Sequence, residues 1–187
     1  MYKKVSAEII MILVTAVIVT VPSSVMQFSH AQSNQGLQGV LNIHNHERGL
    51  VRVQPLAWSD SLAAQAQSYA DHLTTLGIVC GEQGCNPLPP HGANNENIAL
   101  GITWPADLAE EEGRIAPVEL AKEWVKEKVA YNAGQRSGPG IGHYTAMVWQ
   151  DTREVGCGFS SSGITDFLVC RYNPQGNAPG QVPFGRN

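Results

Sequence analysis

Residues 155–172 read VGCGFSSSGITDFLVCRY, two strand-like runs joined by the polar turn Ser161–Asp166. An antiparallel register that sets Cys157 against Cys170 also sets Phe159 against Leu168 and Val155 against Tyr172. All six side chains then share one face, as cross-strand packing requires. The spacing therefore predicts a hairpin over 155–160 and 167–172, bridged by Cys157–Cys170. The remaining pair, Cys80 and Cys85, follows by elimination and closes a small loop containing Gly81 and Gly84. A zinc site is the rival use of four cysteines, but no CxxC pair occurs.

Upstream of the hairpin, GHYTAMVWQ at 142–150 alternates from Tyr144 and reads as a third strand over 143–149, with His143 at its entrance. A glycine- and proline-rich loop, 135–142, precedes it. Pro117 opens a helix running to about Tyr131, with Leu120, Ala121, Trp124, Val125 and Lys128 along one side. A short helical turn is expected from Asn95 through Leu100. Residues 81–92 form a loop with three prolines. Ser59 or Asp60 caps a helix that carries Leu62, Ala66, Tyr69, Leu73 and Leu76 and stops at Gly77. Residues 37–48 form another, with Leu37, Val40, Leu41 and His44 on one side. Helices thus come first and strands later, which makes the chain α+β rather than parallel α/β.

The N-terminus reads differently. Lys3 and Lys4 precede an apolar run from Ile9 to Val21, about 13 residues against the roughly 20 that span a bilayer. Ser29 and Ala31 supply small residues before a cleavage point at Ala31–Gln32. Residues 1–31 are accordingly expected to be a secretory signal peptide, and 32–187 a single domain with an irregular tail. The alternative is an uncleaved anchor that retains the protein at the cell surface. The chain has 12 basic and 16 acidic residues, a net charge of −4. No basic cluster exists, which argues against nucleic acid and anionic membrane surfaces as partners. Even cysteine usage suits an oxidising, extracellular setting.

Four polar residues do not fit the core pattern. His91 and Glu96 lie five apart, Glu127 follows Trp124 by one turn, and His143 heads its strand. Two imidazoles and two carboxylates can ligate a divalent metal or orient its ligands. Nucleophilic hydrolysis finds little footing: Gly158-Phe-Ser160-Ser-Ser162 fails the GxSxG pattern at its last position, and His46-Glu47 lacks the second histidine of HExxH.

Several motifs point one way. GHYTAMVW at 142–149 with Thr152 resembles the first signature of the CAP superfamily, the cysteine-rich secretory, antigen 5 and pathogenesis-related proteins. FLVCRYNPQGN at 167–177 resembles the second, departing at Ala178, where a larger side chain is usual. His44-Asn45 with Arg48 matches HNxxR. Asn95-Glu96-Asn97-Ile98 matches GENI with Asn95 in place of glycine, and Trp124–Glu127 with Tyr131-Asn132 matches the helix before the first signature. The resemblance implies a three-layer α-β-α sandwich with a central, mainly antiparallel sheet. It implies a cleft of His91, Glu96, Glu127 and His143, with His91 and His143 as ligands of zinc or another divalent cation and no organic cofactor. It gives His44 a structural role. It also implies a secreted binding protein whose extracellular ligand includes lipid or sterol among its classes. The competing function is an extracellular hydrolase in which metal- or glutamate-activated water attacks a peptide bond. Asn95 is expected to narrow the cleft or alter the backbone beside Glu96.

Overall fold

The computed structural model of the protein describes residues 23–81, 84–86, 89–103, 115–136 and 138–185. The helices are α1 (Ser23–Leu50), α2 (Asp60–Thr74), α3 (Pro117–Lys126), α4 (Lys128–Asn132) and α5 (Gly142–Met147). The strands are β1 (Ala57–Trp58), β2 (Val79–Gly81), β3 (Gly84–Asn86), β4 (Glu96–Ile102), β5 (Glu154–Ser162) and β6 (Thr165–Asn173). The expected leader falls largely on residues 1–22, which lie outside the described residues. α1 runs through the expected cleavage point. Among the described residues, no helix is long and apolar enough to cross a membrane.

The hairpin forms in the register that its pattern requires: Cys157 faces Cys170, Phe159 faces Leu168 and Val155 faces Tyr172. Cys157 and Cys170 are bonded. β6 also pairs antiparallel with β4, and β5 parallel with the two-residue β1, giving the order β1-β5-β6-β4. β2 and β3 form a separate ribbon that sets Cys80 opposite Cys85, and Cys85 is in a disulfide.

Helices cover both faces of the main sheet. Val155, Cys157, Leu168, Cys170 and Tyr172 pack against α1, α3 and α5 in one core. Ile98, Phe167 and Val169 pack from the other face against Ala66, Ala70 and Leu73 of α2. The result is the three-layer α-β-α sandwich. α2 lies unusually close to β5, because a Cβ on Gly156 would come within 2.1 Å of the Ala63 nitrogen and one on Gly158 within 2.3 Å of the Gln67 Cα. Only glycine permits that approach. Gln67 then acts as a surrogate strand: its side-chain amide donates to the Phe159 carbonyl at 2.9 Å and its oxygen accepts from the Phe159 N–H at 3.0 Å.

Several expectations need correction, the first being the loop over 81–92: Gly81 ends β2 and Gly84–Asn86 form β3, paired as a short ribbon. Residues 143–149 are not a strand; α5 and the turn after it occupy them. Every side chain from Tyr144 to Trp149 is buried, so the apparent alternation does not separate an inner from an outer face. The helical turn is closed locally by Thr145 Oγ1 donating to the Ile141 carbonyl at 2.9 Å. The helical turn expected from Asn95 through Leu100 does not form: Asn95 lies in the turn before β4, and Glu96 onward is strand, since the free edge of β6 offers a full ladder from Glu96↔Arg171 to Ile102↔Thr165. A short apolar run carries too little periodicity to separate those outcomes. Finally, the helix from Pro117 breaks at Glu127, between α3 and α4.

Candidate functional site

The HNxxR segment, at the end of α1, organises the ground beneath the site. Arg48 is fully buried, and its guanidinium donates to four carbonyls: Gln54 at 2.6 Å, Met147 at 3.0 Å, Trp149 at 2.9 Å and Thr152 at 2.9 Å. These hold the turn that joins α5 to β5. Asn45 pairs with both backbone groups of Leu56. His44 Nδ1–H donates to the Val40 carbonyl at 2.8 Å, so Nε2 is the acceptor, and Tyr172 O–H donates to it at 2.9 Å. Burial, then the charge of Arg48, holds the His44 pKa down to about 4 against the opposing bond to Val40, and burial pushes the Tyr172 phenol up. Both are neutral at physiological pH. Asn97 Nδ2 continues the chain outward, donating to Tyr172 Oη at 2.9 Å and to the His143 carbonyl at 3.0 Å.

That last bond reaches the cleft. His91, Glu96, Glu127 and His143 all line one cavity of about 360 Å³, together with Asn97, Asn177 and the glycine loop around Pro139. Each arrives from a different element: the loop before β4, the start of β4, the α3–α4 break and the first turn of α5. The break in the predicted long helix is what places Glu127 on the cavity wall. Glu127 Oε1 accepts from His143 Nδ1 at 2.8 Å, and Oε2 accepts from the Tyr144 N–H at 2.9 Å. The second bond satisfies an orphan donor at the start of α5, which has no side-chain cap of its own. Burial pushes Glu127 upward, but these bonds outweigh it and hold its carboxyl below the ordinary range. The His143 ring stacks on Trp124 with centroids 6.0 Å apart.

Glu96 is held differently. Its carboxylate has no exposed surface; Oε2 lies 3.2 and 3.3 Å from two nitrogens of Arg171, its register partner on β6. Oε1 accepts from the Gly92 N–H at 2.5 Å and stands 3.4 Å from His91 Nδ1. Asn95, which was expected to crowd the cleft, does not line it. Its carbonyl accepts from Tyr172 N–H at 2.9 Å and its side-chain amide donates to the Tyr172 carbonyl at 2.8 Å, extending the β4–β6 pairing by one residue. Arg171, Asn97 and Asn177 escaped sequence reading, because an arginine and an asparagine on strands and an asparagine in the irregular tail carry no spacing signal. Arg171 had one available clue: it follows the bridged Cys170 on the face opposite that cysteine, where Glu96 also falls.

Each imidazole turns Nδ1 toward a carboxylate and leaves Nε2 for another partner, the carboxylate–histidine pattern of metal ligands. The carboxylates themselves are committed to backbone N–H groups and Arg171. Among the described residues no group of three or more His, Cys, Asp and Glu stands together at metal-holding spacing. The donors this leaves toward the cleft are the Nε2 atoms of the two imidazoles.

Residues 41–172 match the cysteine-rich secretory protein family, and the chain belongs to this CAP family. Pathogenesis-related protein 1C of Nicotiana tabacum is 34% identical over 159 residues, covering 83% of each chain. Pathogenesis-related protein 1 of Arabidopsis thaliana is 32% identical over 150 residues, covering 79% of this chain and 81% of its own. Among solved structures, NaASP2 with Zn2+ shares the fold with a TM-score of 0.62 at 22% identity, over 81% of this chain and 86% of that one.

Proposed function

We propose that this protein is an extracellular binding module whose cleft holds a divalent cation between Nε2 of His91 and Nε2 of His143. The observation that carries this reading is the pairing of each ring's Nδ1 with its own carboxylate, His143 with Glu127 at 2.8 Å and His91 with Glu96 at 3.4 Å. Zinc suits two imidazoles and water. When bound, the ion supplies a Lewis acid to an incoming oxygen or nitrogen ligand; the chain itself orients the two rings. NaASP2 was solved with Zn2+, which agrees with the choice of ion. Binding is favoured over hydrolysis because Glu127 already accepts from His143 and Tyr144 and Glu96 is engaged by Gly92, Arg171 and His91, which leaves neither disposed to activate water.

Zinc titrated by calorimetry into the wild type and the His91→Ala, His143→Ala double variant is the test. Binding should be lost in the double variant and should weaken with acid, since only neutral imidazole ligates. Equal affinity in both removes the cation. A lipid ligand needs apolar surface, and the groove of about 350 Å³ beside Ile43 and Val125 offers some; lipid co-purifying in native mass spectrometry would support it. Export rests on the leader pattern and on the pathogenesis-related relatives. N-terminal sequencing of protein from the medium should begin at Gln32, and a chain beginning at Met1 would overturn it.

A further inference from the structure

His91 is the most weakly anchored of the four cleft residues when judged by its own side chain, which is 58% exposed and stands 3.4 Å from Glu96. The loop that carries it, 89–92, has no regular structure. Yet the backbone groups on either side of His91 are both tied down from elsewhere in the fold. Tyr69 Oη, on α2, donates to the Pro90 carbonyl at 2.6 Å, and the Gly92 N–H donates to Glu96 Oε1 at 2.5 Å. Gly92 also packs closely against the Tyr69 ring, where an added Cβ would meet ring atoms at 2.5–2.7 Å. Arg171 joins the two anchors. Its guanidinium carbon lies 5.6 Å from the Tyr69 ring centroid, and its NH2 nitrogen lies 3.2 Å from Glu96 Oε2. A carboxylate without exposed surface needs such a cation, since an uncompensated buried charge is strongly unfavourable.

We propose that Tyr69, Arg171 and Glu96 form a clamp that positions His91 in the cleft, with Arg171 acting through the other two. This rests on the reading of His91 as a cation ligand. The clamp makes the two glutamates unequal. Glu96 has one oxygen on Arg171 and the other on Gly92 and His91, so it orients and does not ligate. Glu127, beside His143, supplies the carboxylate charge that the cleft presents to an incoming cation. Three elements distant in sequence, at residues 69, 96 and 171, are thus needed to place one ring, while the His143 ring is held directly by Glu127 and by stacking on Trp124.

Two measurements test the clamp. Zinc affinity is compared for the wild type, Tyr69→Phe, Arg171→Gln and Arg171→Lys, with circular dichroism confirming that each is folded. Partners behind a ligand are worth about 10–100-fold in affinity. Arg171→Gln should weaken zinc binding by about tenfold or more, Tyr69→Phe should weaken it less, and Arg171→Lys should recover part of the loss by keeping the charge. The second measurement needs no metal: the ring 15N spectrum at pH 8 reports which nitrogen of each neutral histidine carries the proton. His91 should hold its proton on Nδ1 in the wild type and shift toward the Nε2–H form in Arg171→Gln and Glu96→Gln, while His143 stays unchanged in both. A wild type that binds no zinc overturns the cation reading, and the ring spectrum then decides the clamp by itself. An unchanged His91 tautomer in Arg171→Gln overturns the clamp, whatever the zinc titration gives.

Discussion

His44 couples the stability of this fold to pH in a direction that can be worked out from its surroundings. The ring is fully buried, donates from Nδ1 to Val40 and accepts at Nε2 from Tyr172. Burial and the nearby Arg48 charge lower its pKa from 6.5 to about 4. A proton on the folded ring would meet the Tyr172 hydroxyl as a second donor and would face a neighbouring cation. The unfolded chain takes that proton near 6.5 and the folded chain only near 4, so the unfolded state binds more protons between these values. The contribution is present in full above 6.5 and is lost as pH falls toward 4. From pH 7 to pH 5 the loss amounts to about 2 kcal/mol. Surface carboxylates are still mostly ionised in that window, and Glu127, with its lowered pKa, is further from it. Urea unfolding at pH 7 and pH 5 should be measured for the wild type and for His44→Gln. The variant loses the Val40 and Tyr172 bonds and starts less stable, so the quantity to compare is each protein's difference between the two pH values. The wild type should lose about 2 kcal/mol more than the variant. Equal losses would refute the reasoning and place the acid sensitivity elsewhere.

Arg48→Met should destabilise the fold by about 3–5 kcal/mol, since four carbonyls, three of them in buried bonds, lose one charged donor group; a loss of unfolding free energy below about 1 kcal/mol in urea would contradict this. Gly158→Ala forces a methyl into the backbone of α2 at Gln67, so it should cost about 3 kcal/mol or more, or prevent folding. Alanine at Gly163, whose Cβ would meet nothing within 4 Å, strains only its own turn and should cost less in the same assay. Replacing Cys157 and Cys170 by serine should cost about 2–4 kcal/mol, toward the low end because the closed loop is short. Reduced wild type with an unchanged melting midpoint would argue that the hairpin is held by packing alone.

The hairpin was legible because a strand has a period of two: once Cys157 is set against Cys170, the faces of Val155, Phe159, Leu168 and Tyr172 follow without knowledge of the rest of the chain. The cap at Ser59 and the stripe of α2 were legible for the same reason, local chemistry answering a local period. The α-β-α sandwich and the membership of His91, Glu96, Glu127 and His143 in one cleft came from motif order. Spacing alone could not bring together residues from four elements.

Where the competing structures differ only in long-range partners, local pattern had nothing to decide with. Residues 96–102 become a strand because β6 has an open edge, and 142–147 become a helix whose first turn is completed by Glu127 from another helix. Arg171 reads as an ordinary strand arginine until its register partner proves to be a carboxylate with no access to water. The sequence by itself determined the hairpin register, the α2 stripe and the family, because each depends on neighbours in the chain or on an ordered set of motifs. Tertiary structure alone decided that Glu96 meets Arg171 and the Gly92 N–H while Glu127 meets His143 and the Tyr144 N–H, because those depend on charges and hydrogen-bond partners that come together only after folding.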